Sequence, residues 1–474
     1  MKKIFDKFIR SIKTPQGFFL WGALIFGGAF LLVFPPFQTP DEAAHFLRAY
    51  QISNLDFVPQ QKNGVTGSDL PKSLQKTESV VDGGTPLQTQ PNVKYRLGNT
   101  KAALVNVPLN EDEKGFVDTT VTASYSPIGY IPQVIAIWIA RVFNAPPILM
   151  VYLAKLAVLL AWITLVFWSI KVFPFKKWAV AGIALLPMFI AQSVSMGVDV
   201  MAVGAGLLFT SLILTNVYKK QPIGIKTIAF ILAAAIVMIL SKQVMALLLP
   251  LVVLIRFDNA KVSTIKAWII KSGLVLIPIA LFFIWTASLP TINQSPIQVQ
   301  NSQNTSEQVK YIIENPFRFL LIVANTFLIA GPGDGVTRSL MGDFGWVDTP
   351  LAAFFITIGY GALFGYLVIN YEKRQASPRI SPRSRFIFAA VAALYFIGVC
   401  GALYVIFSPV GSHVVFGIQG RYLFPCLFLL IPVFFTNLLI AKEKHFIAFV
   451  MTMTTLLFIA SFVTIFLRYY VRTP

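Results

Sequence analysis

The chain has 474 residues, of which 56% are hydrophobic and only 12% charged, with a mean hydropathy of +0.70. A soluble domain carries about 25% charged residues, so the composition excludes an ordinary soluble fold. The formal charge of +19 would suggest nucleic acid in a soluble protein. Here it fits Lys and Arg gathered in the cytoplasmic loops of a membrane protein, and no nucleic-acid partner is expected.

Lys2, Lys3, Lys7, Arg10 and Lys13 precede an apolar run from Gly17 to Phe37. The run is too long for a signal-peptide core and no small-x-small cleavage pattern follows it, so it reads as an uncleaved first span with its basic end in the cytoplasm. A polar segment, 38–124, comes next. It is rich in Gln, Thr, Asn, Gly and Pro and holds half of the chain's 20 acidic residues. It is expected to form an outward loop with a juxtamembrane helix packed on the bundle. A bilayer core takes about 20 apolar residues per helix, and further spans are expected at 147–169, 178–196, 199–217, 225–241, 243–256, 267–289, 350–370, 386–408, 421–441 and 446–467. Two more apolar stretches, 126–143 and 316–331, are shorter or interrupted by Pro and Gly, and read as spans, re-entrant segments or surface helices. The second of these lies in a second outward loop, 290–349. The expectation is an all-α polytopic membrane protein with about 11–13 transmembrane helices in one domain over 1–474. There is no internal repeat, and Cys400 and Cys426 lie in apolar runs, as buried free thiols would.

If 126–143 and 316–331 do not cross, the basic loops at 171–177, 219–226, 256–271, 373–385 and 442–444 all fall on the side of the basic N-terminus. That agreement with the positive-inside rule favours this topology. It leaves Arg468 and Arg472 outside as an exception.

Chemistry concentrates at four places. The first is Phe37-Gln-Thr-Pro-Asp-Glu-Ala-Ala-His-Phe-Leu-Arg-Ala-Tyr50, where the first span leaves the membrane. A helix through it puts Asp41, His45 and Arg48 on one face, a carboxylate, an imidazole and a guanidinium able to bind a metal, take a proton and hold a phosphate. A structural account competes: Thr39 as N-cap, Pro40 at the first position and Glu42 closing a capping box. The second is Asp199, a carboxylate between apolar spans, where charge is expensive and marks a cavity or a pair. The third is Lys242, in Ile239-Leu-Ser-Lys-Gln-Val244, either paired with Asp199 or holding a lipid phosphate while Asp199 orients a sugar. The fourth is Gly417-Ile-Gln-Gly-Arg-Tyr-Leu-Phe-Pro425. There Gly420 is expected to let a ligand approach the backbone and Arg421 to grip phosphate with its fork, unless Arg421 and Tyr422 merely anchor a helix end. Weaker candidates are Tyr125-Ser-Pro127 with Tyr130-Ile-Pro132, and Phe344-Gly-Trp346, as walls of a cavity. His413 and His445 carry no assigned role. There is no nucleotide-binding Gly-rich loop, no Cys/His metal spacing and no serine nucleophile elbow.

Pro40-Asp-Glu-Ala-Ala-His45, Ser195 to Asp199, Lys242 and Gly417-Ile-Gln-Gly-Arg-Tyr422 resemble the motifs of a bacterial family of multi-span membrane proteins of unknown function, over most of the chain from about Pro35 to Pro425. That family in turn resembles the GT-C superfamily of membrane glycosyltransferases, which carry an acidic motif in the first outward loop and use polyprenyl-phosphate or polyprenyl-diphosphate sugars. The resemblance implies a bacterial plasma-membrane enzyme with a cytoplasmic N-terminus and an outward active site. Catalytic groups would be Asp41, Glu42 and His45, with Asp41 as base or ligand of a divalent metal such as Mg or Mn. Arg48, Lys242 and Arg421 would hold the donor phosphate, and Asp199, Gln419 and Tyr125 the sugar or acceptor. The expected partners are a polyprenyl-phosphate-linked sugar, a cell-surface glycan or glycolipid acceptor, and membrane lipids. Rival readings are a flippase or transporter of lipid-linked glycans, a metal-free polysaccharide ligase or polymerase centred on Arg421, and a non-catalytic assembly subunit.

Overall fold

A computed structural model of the chain describes residues 10–84, 87, 90, 92–219, 223–257, 262–290, 304–328, 335–372, 380–436 and 438–471. Lys2, Lys3, Lys7, Lys220, Lys261, Lys373, Arg374, Arg379 and Arg472 lie outside these residues, as do 291–303 in the second loop and the end of 316–331. Among the described residues six helices are long and apolar enough to cross a membrane. They are α1 (Pro15–Val33), α6 (Pro147–Val172), α9 (Asp199–Lys219), α11 (Thr264–Ser288), α16 (Pro382–Phe407) and α18 (Glu443–Tyr470). The chain is thus an all-α polytopic membrane protein. Local chemistry sets the ends of α1: Thr14 Oγ1 accepts from Gly17 N at 3.2 Å, and Pro15 occupies a first-turn position where its missing N–H costs nothing. The Phe34-Pro35-Pro36 sequence then stops the helix.

Helix α9 is central. Of its apolar window, 83% is buried, against 11% for the peripheral α11. It packs between α6 and α10 (Ile225–Ser241). Lys242 breaks α10 by turning extended, at φ −155°. The chain then returns as a 3-10 helix, Gln243–Leu254, with Pro250 inside. A 3-10 helix rises about 2.0 Å per residue, so these twelve residues reach about 24 Å, further than an α-helix of equal length. Asp199 and Lys242 therefore sit at the same end of adjacent antiparallel elements.

The expected single span 178–196 is two short helices, α7 (Lys177–Ala184) and α8 (Pro187–Ser193), broken at Leu185–Leu186. Pro187 supplies the reason, since it cannot donate to a continuing helix and biases Leu186 away from the α region. Segment 126–143 folds as a 3-10 turn, Pro127–Tyr130, followed by α5, Ile131–Val142. Twelve residues of α-helix reach only about 18 Å, well short of a bilayer core. One face of α5 buries Val134, Ile137 and Ala140, and the other exposes Ile131, Ile135, Ile139 and Val142. Likewise α13 (Pro316–Leu328) has only 13 residues. It packs Phe319, Ile322 and Val323 on Cys400 and Tyr404 in a small second core. Both cysteines are free and buried.

The first loop carries α2 (Glu42–Ser53), α3 (Lys72–Asp82) and α4 (Leu97–Asn106) with a small antiparallel sheet in the order β1 (Gln60–Lys62), β2 (Val65–Pro71), β3 (Lys114–Asp118). Asn63 and Gly64 close the β1–β2 hairpin with positive φ, the preferred chemistry of a two-residue turn. Arg468, an apparent exception to the charge rule, is tied to this side of the molecule. It pairs with Asp348 at 2.7 Å and donates to the Val93 and Leu87 carbonyls.

Candidate functional site

The site is assembled from five loops at one end of the bundle. Asp41 precedes α2 in the left-handed region, at φ 60°, and its side chain caps nothing. A non-glycine residue held there is strained by about 1–2 kcal/mol, a cost accepted most readily by Asp and Asn. Its carboxyl makes no bond to the helix end and lies within electrostatic reach of Arg421 and Asp199. Burial raises its pKa above the usual range, the positive charge of Arg421 pulls it down, and the negative charge of Asp199 pushes it up.

His45 lies one turn into α2 and is buried. Its Nδ1 meets the Tyr130 hydroxyl at 2.7 Å, and its ring packs tilted against Tyr125, with centroids 5.6 Å apart. Nε2 faces the turn at Gly197, 3.8 Å from where a Cβ on that glycine would stand. Burial depresses its pKa to about 4, against the pull of Asp199, so the imidazole is neutral at pH 7. The turn before α9 is tied to the 3-10 turn and α5 by Gln133, which donates to the Met196 carbonyl at 3.0 Å. Ser126 donates to the Leu240 carbonyl at 2.7 Å and joins the same turn to the end of α10.

Asp199 and Lys242 close on each other as an ion pair, and the Lys242 ammonium stands 4.4 Å from the Tyr422 ring centroid. The pair is no remote structural lock, because Asp199 also acts on Asp41 and His45. Arg421 completes the group. Its Nη1 donates to Gln192 Oε1 at 3.4 Å and its Nη2 to the Tyr422 hydroxyl at 3.5 Å, both long, and its buried Nε has no hydrogen-bond partner among the described residues. Asp41, His45, Tyr125, Asp199, Lys242 and Arg421 thus gather at one place.

Three expectations change. The capping box does not form: α2 begins at Glu42, Thr39 Oγ1 is buried without a partner, and Glu42 turns inward to Lys155 on α6, 3.0 Å away, with both side chains fully buried. Glu42 is therefore committed to Lys155, within electrostatic reach of Tyr152 and Tyr469. Arg48 is fully buried and donates to Gln51 Oε1 and the Phe57 carbonyl, each at 2.7 Å, and to the Tyr125 carbonyl at 3.3 Å. It braces the loops around Tyr125 and is not poised for phosphate. Gly420 is needed for a backbone, not a ligand: a Cβ there would fall 2.1 Å from Leu340 N. The Gly420 N–H donates to Ser339 Oγ at 2.7 Å. Gln419 is half-buried at the start of the 3-10 turn Gly420–Leu423. Phe344 is core, packed edge-on against Phe30 and Phe34.

Lys155 was not anticipated, although a lone Lys within an apolar run is itself a signal. Gln192 and Tyr422 were read only as parts of their motifs. The donor set suits a divalent metal poorly. Among the described residues no three His, Cys, Asp or Glu side chains gather as ligands. Asp199 is already committed to Lys242, and Arg421 stands where a second cation would be repelled.

Fold and site define a class: a polytopic helical membrane protein with a compact polar cluster at one end of its bundle. The chain belongs to the family described as "Predicted membrane protein (DUF2142)", whose model matches residues 24–430. That match includes every residue of the cluster. No curated protein and no solved structure matches the chain.

Proposed function

We propose that the protein is a membrane glycosyltransferase, moving a sugar from a polyprenyl-phosphate donor to a cell-surface glycan or glycolipid, with its cluster on the outer face of a bacterial plasma membrane. The observation that carries this reading is Arg421: a guanidinium at one end of the bundle, held by two long contacts and with a buried N–H unpartnered, beside a carboxylate of raised pKa. A planar fork of that kind binds two phosphate oxygens at once. Lys242 spends one of its three N–H donors on Asp199 and has two more to offer a phosphate.

In the proposed reaction the acceptor hydroxyl oxygen attacks the anomeric carbon. The bond from that carbon to the donor phosphate oxygen breaks, and polyprenyl phosphate leaves, its charge balanced by Arg421 and Lys242. Asp41 takes the acceptor proton, a role that a carboxylate of raised basicity fills better than an ordinary one. Neutral His45, held by Tyr130, orients the cluster, and Tyr125 walls the sugar.

The test is Asp41→Asn in purified protein given a radiolabelled polyprenyl-phosphate hexose and a membrane glycan acceptor. Loss of transfer by about 100-fold or more is expected, the usual worth of a general base. Full retained transfer removes Asp41 as base. Movement of the intact donor across vesicles without cleavage, equal in wild type and variant, supports a flippase instead.

A further inference from the structure

Two of the spans project beyond the cluster. Lys155, which faces Glu42 beside Asp41, is eight residues into α6, so about 12 Å of that helix lies further out. On the other side α16 projects as far. The Cys426 thiol donates to the Ala392 carbonyl at 3.6 Å and marks a common level on α16 and α17 (Phe424–Val433). Arg421 is five residues before Cys426, about 8 Å, whereas α16 continues fifteen residues past Ala392, about 22 Å. Arg421 therefore lies roughly 14 Å short of the end of α16.

A short helix covers each projecting end. Helix α5 joins α6 through the turn 143–146, where Asn144 takes a positive φ of 49°, and packs back along it. Helix α13 runs along the end of α16, with Phe319 against Tyr404 and Phe327 against Phe396, ring centroids 5.6 and 5.0 Å apart. Both helices are apolar on both faces. Ile135, Ile139 and Val142 on α5, and Phe317, Leu320 and Leu321 on α13, are 46–82% exposed. A helix apolar all round belongs in a core or in hydrocarbon. Lipid chains are the occupant that fits, because this surface continues into the span: Leu149, Leu156 and Leu160 form one exposed face of α6, starting on its projecting turns and running past Lys155.

Charge falls only at the far ends of the two short helices. Arg141, near the end of α5, pairs with Glu111 at 2.8 Å and lies 5.3 Å from the Tyr50 ring centroid. Arg318, at the start of α13, is exposed and lies 5.9 Å from the Tyr311 ring centroid. From there toward the cluster, neither helix carries a charged residue. Arg and Tyr together suit the headgroup layer. Gln133, bonded to the Met196 carbonyl beside the cluster, is eight residues from Arg141, about 12 Å along α5.

We propose that α5 and α13 are embedded in the leaflet at the cluster end, that the cluster lies about 10 Å beneath the headgroup layer, and that the acceptor is a glycolipid and not a free glycan. A lipid-borne acceptor brings only its first sugars to that depth while its chain stays in hydrocarbon. A free polymer would have to leave water for the leaflet, where each polar group left unpaired costs free energy. The depth stands independently of the proposed transferase activity, and the acceptor class rests on it.

The test has two arms, both on the full chain in phospholipid vesicles. In the first, Ile139→Cys and Leu321→Cys carry a bimane label, the native Cys400 and Cys426 being buried. Doxyl-labelled phosphatidylcholine should quench both labels, and aqueous iodide should leave them bright. Iodide quenching of either label as strong as that of a label on the exposed loop variant Lys76→Cys overturns the depth. Should either variant fail to elute as folded protein, Ile135→Cys and Leu320→Cys decide between the same outcomes. In the second arm a polyprenyl-phosphate hexose is offered with a diacylglycerol-anchored disaccharide or with the same disaccharide free. The anchored acceptor should give about 100-fold higher kcat/KM, through its effective concentration at the membrane. Equal use of the two overturns the acceptor class and leaves the transferase reading standing. Transfer to neither removes the transferase reading and the acceptor class together, while the labels still decide the depth.

Discussion

Removing one partner of the Glu42–Lys155 pair should cost more stability than any surface change in the protein. Both side chains are fully buried, with Lys155 Nζ 3.0 Å from Glu42 Oε1, and neither group makes a hydrogen bond among the described residues. Lys155 is eight residues into α6, about 12 Å along it. Stranding one charge there costs about 3–5 kcal/mol, because the remaining ion loses its Coulomb partner and keeps its desolvation penalty. Glu42→Gln and Lys155→Met should each show a loss of this size in reversible unfolding of the purified protein in mixed micelles. The double variant E42Q/K155M should recover much of it, because no unpaired charge remains, and should lose less than either single variant. The reasoning fails if either single variant lies within about 1 kcal/mol of wild type, or if the two losses simply add.

Two further predictions concern pH and have opposite signs. The His45 pKa falls from 6.5 to about 4 on folding, so the unfolded chain binds the proton first and stability is lost as pH drops through that window. The gap is worth about 3 kcal/mol in all, so between pH 6.5 and 5 wild type should lose about 2 kcal/mol relative to His45→Gln; parallel profiles for the two proteins contradict the buried neutral imidazole. Asp82 goes the other way. Burial, aided by Glu78 and opposed by the Gln38 hydrogen bond, pushes its pKa up from 3.8 to about 7, so its contribution is intact below pH 4 and is lost as pH rises toward 7. Asp82→Asn should raise the thermal midpoint at pH 8 and leave it unchanged near pH 4; an equal rise at both refutes this.

The long apolar runs were legible because membrane spans need only length and composition. So was the gathering of Asp41, Asp199, Lys242 and Arg421, because each charge interrupts apolar sequence at the end of a span and antiparallel helices bring alternate ends together. The local rule at Thr39-Pro-Asp-Glu42 misled for a physical reason. A capping box is worth about 1 kcal/mol, and a buried Lys155 claims Glu42 more strongly. That partner is 113 positions away, and nothing in spacing announces it. Arg48 was illegible in a different way, since two of its acceptors are the backbone carbonyls of Phe57 and Tyr125, which any residue supplies. Pro187 did announce the break between α7 and α8, and the mean apolarity of 178–196 masked it.

Charge accounting within the cluster isolates the residue on which the transferase reading turns. Asp199 and Lys242 neutralise each other, leaving Asp41 and Arg421. Those two act on each other electrostatically, and no ion pair within 4.0 Å joins them among the described residues. Arg421 is thus a half-buried cation whose fork is satisfied only by contacts of 3.4 and 3.5 Å. An anion arriving at that fork would replace two weak contacts with two charge-assisted ones, each worth about 1.5–3 kcal/mol. Arg421→Lys separates this role from simple charge balance or helix anchoring, because it keeps the charge and removes the fork. If the fork grips the donor phosphate, the lysine variant should raise KM for the lipid-linked sugar by about tenfold to a hundredfold, while the fall in kcat is smaller. If Arg421 only offsets Asp41 or anchors the start of the last turn, R421K should leave KM for the donor where it was. That result would leave the cluster without its phosphate grip and the transferase proposal without the observation that carries it.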